Sequence, residues 1–344
     1  MFKEFIEKIV EGIDLKEEEA IQAMDLIMTG DVPPTQIASF LTALRMKGET
    51  VEEITGFAKA MREKAVKIHV NFSQPVIDTC GTGGDGKGTF NISTAVAFVV
   101  AGGGCIVAKH QNRSVSSRCG SADVLEALGI EPDLSPEKSS LALQEFGLAF
   151  LFAPRFHPAT RYAAGARRDI GIRTAFNLLG PLTNPAEATI QLSGVFREDL
   201  TLPMAIVLKN LGCKRAMVVH SEDHCDEISI SGKTKVTELK DGKIDTYEIE
   251  PEMFGLKKAP FDTIRGGSPK DNAEIIIKIL RGAHGPQRDI VLLNASTIFM
   301  MASKVSNLRE GIELARESID SGNAMKKLKD LINFSNLNRR DNEE

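Results

Sequence analysis

The chain has 344 residues, enough for about two domains of ordinary size and for a hydrophobic core that needs no disulfide or metal support. Its 42% hydrophobic and 26% charged residues exclude a disordered or low-complexity protein. Because 42 basic residues stand against 47 acidic ones, the net charge is −5, the molecule as a whole repels polyanions, and we expect no nucleic-acid partner.

Residues 1 to about 70 show helical patterns only. The apolar residues Phe2, Phe5 and Ile9 recur on one helical face. Further on, Thr50 and Glu53 form a capping box that begins a helix ending near residue 67. We predict a small helical domain, residues 1–70, joined in space by part of residues 157–185. Its apolar faces either cover its own core or dock on a second subunit, and the pattern favours neither.

Residues 71–344 alternate short apolar runs with helical segments, which predicts a larger α/β domain with a mostly parallel central sheet. The predicted strands are 76–78, 105–108, 148–152, 190–196 and 216–220. The predicted helices between them are 93–101, 122–128, 136–146, 157–170 and 201–211. A hairpin of two further strands, 234–240 and 243–249, turns at Asp241-Gly242, and residues 270–334 are helical again.

The segment between the first strand and the next helix reads DTCGTGGDGKGTFNIST, residues 78–94. Its five glycines within eight positions permit positive φ and let backbone N–H groups approach an anion. Asn91, Ser93 and Thr94 then stand at a helix N-terminus, where unpaired N–H groups and the helix dipole favour phosphate. We interpret the segment as a phosphate-binding loop.

Two other phosphate motifs match this segment in part. The GxGxxG pattern is present, but the acidic residue that a dinucleotide site needs after the next strand is missing, since that place reads AKHQNR. The P-loop pattern is nearly present, but Gly88 stands where Mg²⁺ requires a hydroxyl group. Both motifs are therefore weaker explanations.

A basic stretch, KHQNRSVSSR at residues 109–118, contains three cations, a histidine and three serines, and no acid. We predict a loop here, after the second strand. In a parallel sheet this loop leaves the same edge as the glycine-rich segment, so both should surround the same phosphate groups.

Two more polar stretches are candidates for binding. Residues 155–173 carry five arginines, whose guanidinium groups suit two-point binding of a carboxylate. Asp226 and Glu227 follow the strand 216–220, and adjacent carboxylates beside a polyphosphate are typical Mg²⁺ ligands. A surface helix and a solvated acidic turn remain open as alternatives.

Four separated segments resemble, in order and spacing, the signature segments of the anthranilate phosphoribosyltransferases. They are DTCGTGGDGKGTFNIST, AKHQNRSVSSRCGSADVLEALG, HPATRYAAGARRDIGIRTAFNLLGPLTNPA and HCDEIS. The resemblance implies transfer of the phosphoribosyl group of 5-phosphoribosyl 1-diphosphate to the amine of anthranilate, a step of tryptophan biosynthesis, with Mg²⁺ as the cofactor. It also implies a homodimer joined through the helical domain. Because the acceptor amine is neutral and already nucleophilic, we predict no general base.

Position by position, the resemblance places the phosphoribosyl donor on the two phosphate-binding stretches: Gly81, Gly84, Asp85, Thr89, Asn91, Ile92, Ser93, Thr94, Lys109, His110, Gln111, Asn112, Arg113, Ser114, Val115, Ser116, Ser117 and Ser121. It places anthranilate on Gly81, Asn112 and Arg167, and Mg²⁺ on Ser93, Asp226 and Glu227.

Three residues depart from the family pattern. Gln111 stands where the family has glycine, which puts a side chain where backbone normally passes close to the substrates. His224 and Cys225 replace the usual Gly and Leu before Asp226.

Two other functions stay open. A pyrimidine-nucleoside phosphorylase of similar fold would not need the acids near residue 226. A non-enzymatic relative that binds nucleic acid is disfavoured by the net charge of −5.

The five cysteines are odd in number and lack a CxxC motif, so we expect a reducing, cytoplasmic location. The N-terminal residues lack the pattern of a signal peptide. The most apolar stretch, residues 95–108, is interrupted by glycines and is shorter than the ~20 residues of a membrane span, so we expect no membrane partner.

Overall fold

The computed structural model describes residues 1–68, 72–113 and 119–340, with side chains up to residue 336. Four helices form an N-terminal bundle: α1 (Phe2–Val10), α2 (Glu17–Thr29), α3 (Pro34–Lys47) and α4 (Val51–Lys64).

Glu53 connects several parts of this bundle. Its carboxylate closes the capping box of α4 by accepting a hydrogen bond from the backbone N–H of Thr50 at 2.8 Å. The same carboxylate accepts from the N–H of Leu15, between α1 and α2, at 2.9 Å. Glu53 is fully buried, and the Nζ atom of Lys47 lies 3.0 Å from it. Glu53 therefore begins α4. It also joins this helix to the connection between α1 and α2 and to Lys47 at the end of α3.

The rest of the chain forms an α/β domain. Its strands are β1 (Val76–Asp78), β2 (Ile106–Gln111), β3 (Leu148–Phe152), β4 (Ile190–Gly194), β5 (Arg215–Ser221), β6 (Thr234–Lys240) and β7 (Lys243–Ile249). Its helices are α5 (Ile92–Gly102), α6 (Ser121–Ala127), α7 (Pro136–Phe146), α8 (Ala153–Phe156), α9 (Arg161–Ile170), α10 (Phe176–Leu179), α11 (Thr201–Asn210), α12 (Pro269–Leu280), α13 (Pro286–Met301), α14 (Leu308–Asp320) and α15 (Asn323–Arg340).

The seven strands form one sheet in the order β3-β2-β1-β4-β5-β6-β7. The pairs up to β5 are parallel, and the hairpin β6–β7 adds two antiparallel strands. From β1 the chain adds β2 and β3 on one side of the sheet, and it then returns to add β4 and β5 on the other side of β1. At such a switch point, α/β sheets bind ligands beyond the carboxyl ends of their strands.

Two hydrophobic cores lie on the two faces of this sheet. On one face, α5 packs among α13, α14 and α15, and every residue of its apolar run from Ala95 to Ala101 is buried. On the other face, the bundle shares a core with Ala163 of α9, Phe176 of α10 and Val218 of β5. The second core therefore joins the bundle, residues 157–185 and the sheet. Within the described ranges, no helix combines the length and apolarity needed to cross a membrane.

The second strand is longer than predicted. β2 continues to Gln111 because it pairs with β3 from Val107 onward, ending with Gln111 opposite Phe152. Lys109, His110 and Gln111, predicted in a loop, are therefore buried strand residues, and that prediction was wrong. Two of the side chains bond to distant segments, since His110 Nδ1 donates to Gly180 O at 2.8 Å and Gln111 Nε2 donates to Pro132 O at 3.1 Å. A helical turn at Pro158–Thr160, separate from α9, likewise replaces the start of the predicted helix 157–170.

Candidate active site

A cleft of about 350 Å³ lies beyond the carboxyl ends of β1, β2, β4 and β5. The glycine-rich segment, the end of β2, Arg167 of α9 and the loop with Asp226 and Glu227 all contribute to its wall. The cleft is therefore at the switch point of the sheet, where the chain order predicts a ligand.

The glycine-rich segment has the backbone conformation that its composition predicts. Gly83, Gly84, Gly86 and Gly88 have φ values of 62°, 75°, 72° and 69°. This left-handed conformation is unfavourable for residues with a Cβ atom, so glycine is required at these positions. The loop is held from outside by Thr82, whose N–H donates to Gly194 O at 2.8 Å, and by Arg173, which donates to Gly84 O.

The N-terminus of α5 opens into the cleft without a side-chain cap. Asn91 occupies the cap position, but its Oδ1 atom accepts from Asn272 Nδ2 at 2.9 Å instead of from the helix. In the first turn, the N–H groups of Ile92 and Thr94 donate to Phe90 O at 2.7 Å and to Asn91 O at 3.2 Å, so the helix dipole is the feature that favours an anion at this point.

The end of β2 brings a buried cation into the same wall. Lys109 is buried, and its ammonium group forms no ion pair or hydrogen bond within the described part of the chain. The Asp78 and Glu227 carboxylates attract this charge. Because no acceptor contacts the ammonium group directly within the described residues, the position still favours an anionic ligand. His110 does not add charge, because burial lowers its pKa to about 3 and the ring is neutral at pH 7.

One buried carboxylate aligns the segments around the cleft. Asp78, at the end of β1, accepts from the N–H of Cys80 at 3.0 Å and of His110 at 3.2 Å. Its second oxygen accepts from Asn184 Nδ2 at 2.7 Å. Burial raises the pKa of Asp78 to about 6, and the nearby Lys109 opposes that rise. Asp78 was not singled out from the sequence, because only its contacts across the fold distinguish it.

The acidic loop reaches the cleft because Gly194 has no side chain. A Cβ atom at Gly194 would overlap the backbone carbonyl of Asp226, so the loop can cross the end of β4 only over a glycine. Loss of solvation and the adjacent Asp85 carboxylate raise the pKa of Asp226 to about 7. The pKa of Glu227 is also raised by burial and by Asp226. Asp85 Oδ2 is buried without a hydrogen-bond partner within the described residues.

These carboxylates fit a bound cation. The carboxylates of Asp85, Asp226 and Glu227 are close together and poorly solvated, so their negative charges repel each other and protonation is favoured. A bound divalent ion would neutralise these charges. Glu227 also accepts from the backbone of Ser93, so Ser93 is close to the acidic loop. The residues predicted to bind Mg²⁺ are thus adjacent, and Asp85, predicted for the donor, lies beside them.

The five arginines of residues 155–173 separate in the structure. Arg167 lines the cleft, stacks on Phe176 at 4.8 Å and has its pKa lowered by burial. Arg173 contacts the glycine loop, and Arg155 pairs with Asp133 at 2.8 Å outside the cleft. Arg167 and its exposed neighbour Arg168 can be distinguished only by their contacts with other elements, which the sequence does not show.

Most predicted site residues line the cleft: Gly81, Gly84, Asp85, Thr89, Asn91, Ile92, Ser93, Lys109, His110, Gln111, Asn112, Arg113, Ser121, Arg167, Asp226 and Glu227. Thr94 does not, because it lies further along α5 and is fully buried. Arg113 also forms ion pairs with Asp123 and Glu126. Ser114, Val115, Ser116 and Ser117 lie outside the described residues.

The sequence reasoning missed several lining residues, namely Phe176, Asn177, Gly180, Pro181, Gly266, Gly267 and Asn272. The Gly-Gly pair before the capped start of α12 was the one local signal for part of this set, and such a pair is also typical of an ordinary turn.

Two departures from the family pattern have a structural explanation. Gln111 has no positive φ, so its position does not require glycine, and its amide group binds Pro132 O. His224 keeps the left-handed backbone of a glycine position, with φ of 62°.

Comparisons with known proteins agree with this architecture. A model described as "Glycosyl transferase family, helical bundle domain" matches residues 3–65, and one described as "Glycosyl transferase family, a/b domain" matches residues 73–325. Anthranilate phosphoribosyltransferase of Petrotoga mobilis is 54% identical over 337 residues, covering 98% of each chain. The chain belongs to the anthranilate phosphoribosyltransferase family. The Moorella thermoacetica member is 56% identical over 333 residues, covering 96% of this chain and 98% of the relative.

Solved structures of the family have the same fold. The Thermus thermophilus anthranilate phosphoribosyltransferase superimposes with a TM-score of 0.91 at 45% identity, covering 96% of this chain and 99% of that one. The Saccharomyces cerevisiae family member in complex with PRPP and Mg has a TM-score of 0.90 at 29% identity, covering 97% of each chain. The predicted fold class, a helical domain plus a larger α/β domain with a mostly parallel sheet, is confirmed.

Proposed function

We propose that this protein transfers the phosphoribosyl group of 5-phosphoribosyl 1-diphosphate to the amine of anthranilate and releases diphosphate, a step of tryptophan biosynthesis. One observation carries the proposal: the positive-φ glycine loop, the uncapped start of α5 and the acids Asp226 and Glu227 face a single cleft. This combination suits a ligand that carries both phosphates and a cation. The names of the similar proteins support the identity of the acceptor.

The donor would lie along the glycine loop, the start of α5 and the end of β2. Backbone N–H groups there would meet its phosphates, and the buried Lys109 would add positive charge at the same wall. Thr89, Asn91 and Ser121 complete this assignment on the described side of the cleft. Ser114, Val115, Ser116 and Ser117 stay assigned to the donor by family resemblance.

Ser93, Asp226 and Glu227 would hold Mg²⁺, and the position of Asp85 adds a fourth oxygen ligand to that set. The buried, unpartnered oxygen of Asp85 and the raised pKa of Asp226 support this assignment. When bound, the ion neutralises negative charge on the departing diphosphate.

Anthranilate would lie between Gly81, Asn112 and Arg167. The planar guanidinium group of Arg167 is suited to the acceptor's carboxylate, and stacking on Phe176 holds that group in place. Burial strengthens the interaction, because little water competes for either charge.

The chain's own contribution to the reaction is electrostatic and positional. As the bond from ribose C1 to diphosphate breaks, negative charge grows on the leaving group, and fixed N–H donors stabilise it at about 3 kcal/mol for one well-placed donor. Holding the neutral amine in line with C1 removes most of the remaining entropic cost. No residue is assigned as a general base.

A fluorescence assay tests the proposed activity. Purified protein with anthranilate, the diphosphorylated donor and Mg²⁺ should consume anthranilate fluorescence, and the signal is clean because the chain has no Trp. Omitting the donor or Mg²⁺ should stop the reaction. Phosphate-dependent cleavage of a pyrimidine nucleoside, without use of anthranilate, would instead identify the protein as a phosphorylase.

The proposal includes a homodimer joined through the helical bundle. Large apolar side chains project from the bundle into solvent, with Val10 70% and Met46 83% exposed. Burying such side chains against a second copy would remove them from water. We also propose a cytoplasmic location, supported by the five cysteines, all of which are free thiols.

A further inference from the structure

Asn272 lies in the wall of the cleft near the start of α12 and has no place in the donor, Mg²⁺ or anthranilate assignments. Its side chain is only 1% exposed. The Oδ1 atom accepts from the backbone N–H of Gly267 at 2.7 Å, and the Nδ2 atom donates to Asn91 Oδ1 at 2.9 Å. A chain of hydrogen bonds therefore runs from the backbone before α12 to a residue assigned to the donor.

The backbone segment where this chain of hydrogen bonds begins is held against the glycine-rich loop. The N–H of Gly266 donates to Gly88 O at 2.8 Å, and the N–H of Phe90 donates to Ile264 O at 3.2 Å. A Cβ atom at Gly266 would lie 2.7 Å from Phe90 Cα, so the two backbones can approach this closely only because residue 266 is glycine. The N–H of Gly267 therefore has a defined position relative to the start of α5.

These hydrogen bonds determine which way both amide groups face. A backbone N–H can only donate, so it requires Oδ1 of Asn272 on its own side and leaves Nδ2 facing Asn91. That Nδ2 atom in turn requires an acceptor, so Asn91 presents its Oδ1 atom there, and Cys119 Sγ donates to the same oxygen at 3.3 Å. The Nδ2 atom of Asn91 donates to Cys119 O at 3.4 Å, and its second N–H has no acceptor within the described residues.

We infer that Asn272 is a positioning residue for the phosphoribosyl donor: it fixes the amide group of Asn91 so that an N–H, and not the oxygen, is available to a phosphate. The inference rests on the proposed function, which assigns Asn91 to the donor. With the opposite orientation, the Asn91 oxygen would face phosphate oxygens, and two acceptors form no hydrogen bond. Asn272 therefore acts on the affinity for the donor and not on the affinity for anthranilate.

A double-mutant cycle tests whether Asn272 acts through Asn91. Calorimetric titration of the full-length protein with 5-phosphoribosyl 1-diphosphate and Mg²⁺ gives the Kd. Asn272→Ala and Asn91→Ala should each raise it about tenfold. The double variant should also be about tenfold weaker, and not about a hundredfold, because both substitutions remove the same interaction. Asn336→Ala is the matched control and should leave the Kd unchanged, since Asn336 binds Gly129 O outside the cleft.

Asn272→Asp tests the direction of the hydrogen bond in a side chain of nearly the same shape. It keeps the acceptor for Gly267 but offers Asn91 a second acceptor, so it should raise the KM for the donor at least as much as Asn272→Ala, with the KM for anthranilate nearly unchanged.

The same substitution in the Asn91→Ala protein measures the effect of the added charge alone and should be weaker. Equal losses with and without Asn91, or normal donor binding by Asn272→Asp, would overturn the inference. If the unmodified protein itself did not bind the donor, the proposed function would be refuted and this role with it.

Discussion

Arg167 and Arg168 are sequence neighbours with opposite environments. Arg167 lines the cleft on Phe176, and Arg168 is exposed. A hydrogen bond between charged groups is worth about 1.5–3 kcal/mol. We therefore expect Arg167→Ala to raise the KM for anthranilate about ten- to hundredfold and to leave the KM for the donor nearly unchanged. Arg168→Ala is the control and should leave both KM values nearly unchanged. Steady-state kinetics with both substrates measures these values. A similar rise of both KM values in Arg167→Ala would contradict the role of Arg167.

Gln111 differs from the family's glycine but does not turn its amide group toward the acceptor. Its Nε2 atom donates to Pro132 O, between α6 and α7. Replacing it with glycine removes a buried hydrogen bond and adds backbone freedom within a strand, so we expect Gln111→Gly to lower the free energy of unfolding by about 2 kcal/mol. Urea unfolding measures this. Gln111→Ala, which lacks the added backbone freedom, should lose less, and a stabilised Gln111→Gly variant would contradict the explanation.

The glycine loop is an element whose conformation depends on a distant arginine. Arg173 donates to Gly84 O and stacks on Phe196 at 4.5 Å, so it joins the loop to the connections after α9 and β4. We expect Arg173→Ala to raise the KM for the donor about tenfold, because one charge-assisted hydrogen bond holds the loop in its binding conformation. The KM for anthranilate should change less.

Arg197→Ala provides a matched control for this loop. Arg197 is a partly exposed arginine near β4, and it pairs with Asp199. If both variants weakened the donor equally, a general loss of positive charge would explain the effect, and Arg173 would have no specific role.

The strand β2 shows where local patterns fail at the scale of an element. Its last three residues are polar, and polar residues after a short apolar run predict a loop. They form a strand because β3, Gly180 and Pro132 supply their hydrogen bonds. Backbone pairing between segments far apart in the chain therefore outweighs the local signal.

For the whole molecule, the acidic cluster makes stability depend on pH. The pKa of Asp226 rises from 3.8 to about 7 on folding, so the folded state binds more protons than the unfolded state between these values. The metal-free protein should therefore lose stability as pH rises from about 4 to about 7, and Mg²⁺ should restore it. Asp226→Asn should remove part of this loss. Thermal unfolding across this pH range measures the effect.

Asp199→Asn is the control of opposite sign. Arg197 lowers the pKa of Asp199, so its contribution to stability is present at neutral pH and is lost as pH falls. If Asp226→Asn showed the same pH trend as Asp199→Asn, the cluster would not be protonated in the folded, metal-free protein.

The oligomeric state is the second property of the whole molecule. The double substitution Val10→Asp with Met46→Asp places charges at two exposed apolar residues of the bundle. Sedimentation should show a dimer for the unmodified protein and a monomer for this variant. Met253→Asp, at a 49% exposed apolar residue of the α/β domain, should remain dimeric. A dimer that persists in the double variant would place the interface elsewhere.

The sequence by itself determined the fold class, and it indicated two stretches as candidates for phosphate binding at one edge of the sheet. These properties follow from periodicity, glycine spacing and strand order, which are local or depend on chain order only. Only the tertiary structure decided which arginine enters the cleft, that Lys109 is buried in its wall, and that the acidic loop crosses over Gly194 and brings Asp226 to Asp85. Those facts arise from packing between segments distant in the chain, whose energies no local pattern of residues encodes.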